Sequence, residues 1–148
     1  MSKTIRCKVV TPTEKLLDEP VTYASIPAWD GLFGVLPGRA PIVARLGVGE
    51  LTLEFPGTTQ AAGGRRSYFV RGGFAEMANG ELTILAEEAE AASSLTVTDA
   101  EASLKAAEAL TPSPTAPDKG AEADRVRAER DAARARLTLA RKQQGQGI

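Results

Sequence analysis

Along the first ninety residues, apolar and polar positions alternate in short runs with the period of two that a half-buried strand requires. In Ile5-Arg-Cys-Lys-Val-Val10, Ile5, Cys7 and Val9 fall on one face while Arg6 and Lys8 fall on the other. Residues 21–28 (VTYASIPA) are rich in β-formers and close at Pro27. Leu51, Leu53 and Phe55 share a face, and PGTTQAAGG then supplies a flexible turn. RRSYFVRGGF resumes a strand up to Gly72–Gly73. ANGELTILAE follows, with Asn79–Gly80 at a hairpin turn. Short, evenly spaced strands with Gly/Pro turns predict an antiparallel sandwich or barrel over residues 1–90.

Near residue 90 the period lengthens. Thr98-Asp-Ala-Glu101 is a capping-box pattern, in which Thr98 accepts from an orphan backbone N–H and Glu101 reaches back. The alanine-rich run after it predicts a helix over 98–110. The three prolines and one glycine of TPSPTAPDKG predict a stiff loop over 111–120. A second helix is expected over 121–142, with Val126, Ala133, Leu137 and Ala140 on one face. The predicted fold class is β + α: an N-terminal β-sandwich or barrel, then a C-terminal αα-hairpin over 91–148.

The stretch DGLFGVLPGRAP, residues 30–41, sets three glycines and two prolines among Leu32, Phe33, Val35 and Leu36. A phosphate-binding loop needs a Lys and a hydroxyl after its last glycine, and this stretch has neither. GVGE, residues 47–50, lacks the third glycine and the following helix of a dinucleotide fingerprint.

Composition narrows the chemistry. The chain has no histidine, which removes His-ligated zinc, Ser-His-Asp triads and Cys-His pairs. A lone Cys7 permits no internal disulfide and is expected in the β core as a small hydrophobe in a reducing compartment. No apolar run reaches the ~18–20 residues of a membrane span, and MSKTIRCKVV lacks an export-type apolar segment. A soluble protein on the cytoplasmic side is expected. The net charge of −1 divides unevenly: residues 121–148 hold seven Lys/Arg against four Asp/Glu. Glu122, Asp124, Glu129 and Asp131 interleave with those arginines and no aromatic platform accompanies them. Asp124–Arg127 and Asp131–Arg134 therefore read as helix-supporting pairs on a solvated face, not as a nucleic-acid surface. Arg65–Arg66 reads as a solvated hairpin end.

DGLFGVLPGRAPIVARLGVGEL resembles the signature of the epsilon subunit of F-type ATP synthases, where an acidic residue and Gly lead into Gly-apolar-Pro-Gly-His-Ala-Pro. YFVRGGFAEMANGELTILAEEAE is similar to the end of that family's β domain. The resemblance implies a non-catalytic rotor-stalk subunit of a proton-driven synthase, peripheral on the cytoplasmic face of the bacterial inner membrane. The sandwich would hold the gamma subunit and rest on the c-ring. The helical hairpin would lie folded, or rise toward the alpha/beta head and inhibit ATP hydrolysis. It places Asp30, Gly31, Leu32, Gly38, Arg39, Ala40 and Pro41 among the candidate contacts with the c-ring or gamma, with Phe33 and Leu36 expected to fold inward. Arg125, Arg127, Arg130, Arg134 and Arg136 are the candidate regulatory residues.

Two departures from the family pattern stand out. Arg39 replaces the histidine of the GHAP segment, a fixed cation for a titratable group. ATP-binding members carry Ile or Leu followed by Asp-x-x-Arg-Ala, whereas Leu95-Thr-Val-Thr-Asp-Ala100 has Thr96 for the Asp and Asp99 for the Arg. A carboxylate in place of a phosphate-facing cation reverses the interaction, so no nucleotide cofactor is expected. The alternative reading is a freestanding ligand-sensing β domain with regulatory helices.

Overall fold

The computed structural model describes residues 3–57 and 63–146. The chain divides into two compact units, Met1–Ser93 and Ser94–Ile148.

The first unit holds eight strands: β1 (Ile5–Val10), β2 (Lys15–Val21), β3 (Tyr23–Ala28), β4 (Gly31–Val35), β5 (Ile42–Arg45), β6 (Val48–Glu54), β7 (Arg65–Ala78) and β8 (Glu81–Ala91). They pair in the order β2-β1-β8-β7-β6-β3-β4, with β5 added on β7. The long strand β7 serves both layers of the sandwich. Its first half, Arg65–Arg71, pairs β6, and its second half, Phe74–Met77, pairs β5. Between them Gly72 and Gly73 adopt φ of 67° and 102°. Backbone there passes into the left-handed region, where a glycine carries no Cβ penalty, and the strand turns the corner of the sandwich. β8 follows β7 along its whole length, from Ala78↔Glu81 to Tyr68↔Ala91. The two meet at Asn79–Gly80, both at positive φ (54° and 75°), as a two-residue primed hairpin turn demands.

The ladders are antiparallel except β1–β8, which runs parallel from Arg6↔Glu81 to Val10↔Leu85. No short hairpin links these two strands, so no turn constrains their relative direction. Period-two patterning buries Ile5, Cys7 and Val9 of β1 against Leu51, Leu53, Met77 and Ile84. Burial pushes the Cys7 thiol up to about 12, so it stays a protonated, inert core group at neutral pH. Arg66 donates to both carboxylate oxygens of Glu19 (2.9 and 3.4 Å) while its guanidinium lies 4.1 Å over the Phe55 ring. The Arg65–Arg66 hairpin end is thus a paired cross-strand clamp, not only a solvated tip.

In the second unit, α1 spans Val97–Glu108 and α2 spans Lys119–Gln146. The N-cap of α1 is Thr96, whose Oγ1 accepts from the Asp99 N–H at 3.2 Å, two residues before the capping box read from sequence. Both Thr96 and Thr98 have an acid three residues on. The earlier one wins because Thr96 is extended (φ −117°, ψ 145°), as a cap must be. The apolar face of α2 is as its spacing predicts: Val126, Ala133, Leu137 and Ala140 are all buried, joined by Ala132 and Leu139.

Candidate functional site

The stretch 30–41 is not one loop. Its first half is β4, paired to β3 from Ala24↔Val35 to Ala28↔Gly31. Trp29 and Asp30 form the two-residue turn between these strands. Its second half is a reverse turn, Leu36-Pro37-Gly38-Arg39, closed by Arg39 N–H to the Leu36 carbonyl at 3.1 Å. Pro37 sits at the position where a fixed φ helps. Gly38 follows with φ 87°, the combination a type II turn requires. The third glycine, Gly34, has another reason: a Cβ there would lie 2.5 Å from the Tyr23 hydroxyl on the neighbouring strand.

The turns are braced from β5 and from the link between β5 and β6. Trp29 N–H donates to the Arg45 carbonyl at 3.0 Å and Gly47 N–H to the Pro27 carbonyl at 2.9 Å. The backbones pass so closely here that a Cβ on Gly47 would lie 2.8 Å from the Ala28 carbonyl oxygen. A rigid rim results, and its side chains point out. Asp30, Gly31, Leu32, Gly38, Arg39, Ala40 and Pro41 are all exposed. Phe33 folds inward as expected, half-buried against the core, but Leu36 does not: it stands 59% exposed. Phe33 lies within β4, facing Ile26, whereas Leu36 lies beyond the last strand residue, Val35, where the chain turns away. A shallow groove of about 320 Å³ runs beside the rim, lined by Pro27, Leu32, Val48 and Gly49.

Besides Val48 in the groove, four large exposed apolar side chains escaped the sequence reading: Trp29, Val43, Phe74 and Leu85. Trp29 occupies a turn tip. The other three lie on one sheet face, where Phe74 pairs Leu85 across β7–β8 and Val43 pairs Glu76, two residues along β7 from Phe74. The signal was present in the alternation. Ala75 and Met77 take the core side of β7, so Phe74 falls on the face where polar residues are the rule.

The candidate arginines of α2 divide by partner. Arg125 pairs Glu122 (2.8 Å), Arg127 pairs Asp124 (3.1 Å) and Arg134 pairs Asp131 (3.3 Å), each three residues away on the same helix. Arg136 is partly buried. Arg130 instead donates to the carbonyls of Ala107 and Leu110, at 3.4 and 2.8 Å. Thr96 and Asp99, the departures from the nucleotide motif, both lie at the start of α1, where the Thr96 hydroxyl accepts the cap bond from the Asp99 backbone N–H. Among the described residues no three His, Cys, Asp or Glu side chains converge as a metal would need.

Comparison with known proteins decides what this rimmed sandwich belongs to. Residues 4–92 match the model of the ATP synthase Delta/Epsilon chain beta-sandwich domain. The chain belongs to the ATP synthase epsilon-chain family. It is 37% identical over 97 residues to the ATP synthase epsilon chain of Nitratidesulfovibrio vulgaris (strain DP4), covering 66% of this chain and 68% of that one. To the epsilon chain of Solibacter usitatus it is 38% identical over 114 residues, 76% and 81% of the two chains. Its fold is shared by a chain of the Euglena gracilis mitochondrial ATP synthase OSCP/F1/c-ring structure: TM-score 0.65, 24% identity, 98% of this chain and 82% of that one. A chain of the Tetrahymena thermophila mitochondrial central stalk/c-ring structure shares it as well, with TM-score 0.64, 11% identity and coverage of 94% and 98%. Among the described residues no helix is long and apolar enough to cross a membrane.

Proposed function

We propose that this chain is the central-stalk subunit that joins gamma to the c-ring of a proton-driven rotary ATP synthase, without a catalytic residue of its own. The observation that carries the reading is the epsilon-family match over residues 4–92, the same residues that build the braced apolar rim. The rim end, with Trp29, Asp30, Gly31, Leu32 and the Gly38–Pro41 turn, is the seat on the c-ring. Its two tight turns present little bulk and little freedom to lose on docking. The flat sheet face bearing Val43, Phe74 and Leu85 takes gamma. The complex holds the chain peripherally at the cytoplasmic face of a bacterial inner membrane. The hairpin is a movable arm that restrains ATP hydrolysis when it reaches the alpha/beta head.

The buried, protonated Cys7 makes the test selective, because it will not compete with introduced thiols. With Leu32→Cys or Arg39→Cys in the assembled complex, oxidation against a cysteine introduced in the c-subunit loop, or a short thiol-to-amine bifunctional reagent, is expected to yield adducts with the c subunit. Absence of an adduct from both positions in an intact complex removes this placement.

A further inference from the structure

The two helices of the second unit pack through small side chains. On α1 only Ala100 and Ala107 are buried, and near the connecting loop the buried part of α2 is reduced to Val126. An alanine-dominated seam holds weakly. The polar ties at the loop end are correspondingly important, and one of them differs in kind from the rest.

Helix α1 ends without a glycine. Its C-cap, Ala109, remains right-handed (φ −80°, ψ −11°). The last carbonyls of a helix lack intrahelical partners and carry the negative end of its dipole. Arg130, from the fourth turn of α2, reaches across to this end: Nη2 donates to the Leu110 carbonyl, just past the C-cap, at 2.8 Å, and Nε to the Ala107 carbonyl at 3.4 Å, an oxygen that also accepts from the Leu110 N–H at 3.2 Å. These bonds span 20 and 23 residues of sequence. By contrast Arg125, Arg127 and Arg134 engage carboxylates on their own helix and tie nothing together. A further cross-helix contact, Arg141 to Glu101 at 3.7 Å, is exposed on both sides and contributes little. Two further bonds seat the loop on α2: Glu122 accepts from the Ser113 N–H at 3.2 Å, and Asp118 accepts from the Ala121 N–H at 3.0 Å.

We propose that Arg130 is the latch of the hairpin: its guanidinium caps the C-terminus of α1 from α2, and release of that cap is the step by which the two helices separate. The proposal rests on the reading of the hairpin as a movable arm, but its test does not require the assembled complex. A charge-assisted donor at a helix C-terminus suits this use, because it is strong while seated and leaves a solvated, stable cation when released.

The test uses the full chain with spin labels at Ala106→Cys and Ala128→Cys, both exposed positions, one on each helix. The parent chain is expected to give one short inter-label distance. Arg130→Met keeps the packed stem and removes both donors. It is expected to add a second, longer population and to speed amide exchange at Ala109 and Leu110 about 5- to 30-fold. Arg130→Lys, which keeps the charge but not the forked geometry, should fall between the two. Arg127→Met, which removes only a local pair, should leave both readouts unchanged. An unaltered distance distribution and unaltered exchange in Arg130→Met overturn the latch, as does an equal response in Arg127→Met. ATP hydrolysis by the complex carrying Arg130→Met separates the two claims. An opened hairpin with unchanged hydrolysis leaves the latch standing and removes the inhibitory arm.

Discussion

Replacing Trp29 by alanine puts the proposed c-ring seat to its sharpest quantitative test. The indole is 69% exposed and caps a two-residue turn whose backbone is held by the bond from its own N–H to Arg45. Truncation leaves that backbone bond in place and opens no cavity, so folding stability should change by no more than about 0.5 kcal/mol. Binding is another matter. A tryptophan presents up to about 250 Å², so a 69% exposed ring offers about 170 Å² to a partner. At about 25 cal/mol per Å² its full burial contributes at most about 4 kcal/mol. Ordering and imperfect contact reduce this, and central aromatic anchors typically cost about 2 kcal/mol or more when truncated. The expected loss of 2–4 kcal/mol corresponds to about a 30-fold to nearly thousandfold weaker Kd. The assay is titration of a fluorescently labelled chain into complex depleted of this subunit, with thermal melting alongside to confirm an unchanged fold. A Kd within threefold of the parent, at unchanged melting temperature, would refute the assignment of Trp29 to the c-ring seat.

Three further outcomes follow from the geometry. Ile84→Ala, at a fully buried position of β8, should cost about 2–5 kcal/mol of sandwich stability, read from denaturant unfolding. Asp18 is held down to about 2 from 3.8 by its hydrogen bond from Arg6, against the opposing cost of desolvation and with Lys15 adding to it. A depressed carboxylate stabilises the fold above its unfolded value, and the contribution disappears as pH falls from near 3.8 through 2. Asp18→Asn should therefore melt lower than the parent at pH 7 and converge with it near pH 2. A constant gap across that window would contradict the pairing. Calorimetric titration of the isolated chain with ATP should give no micromolar binding, since Thr96 is engaged as a helix cap and Asp99 presents a carboxylate where ATP-binding members carry arginine. Micromolar affinity would overturn that reading.

Much of the architecture was legible because single strands and helices declare themselves through period. Ile5–Val10 alternates cleanly and is a strand to the residue, and the α2 stripe predicted its buried face. What was not legible was non-local or crowded. Strand β2 carries Asp18, Glu19 and Pro20, which give no strand period, and it is Arg6 and Arg66 from β1 and β7 that pair the acids. Strand β4 hid among glycines whose purposes differ: Gly34 makes room for Tyr23, while Gly38 supplies a positive φ. The rim residues at 30–41 were found through family likeness, but Trp29, Phe74 and Leu85 were not. Their significance depends on which face of a sheet is left outside, and that is a property of the folded sandwich.

The corner at Gly72–Gly73 bears on how such a sandwich carries load. Sheets that meet only through side chains can slide past one another when sheared, because apolar contact has no preferred direction. Here β7 and β8 run unbroken through both layers, so a force on the Val43 edge reaches the Trp29 end along covalent backbone and paired amides. The two glycines let the chain turn without interrupting it. A subunit made this way behaves in torsion as one bent plate instead of two stacked ones, which suits a part that must turn with its neighbours without lag.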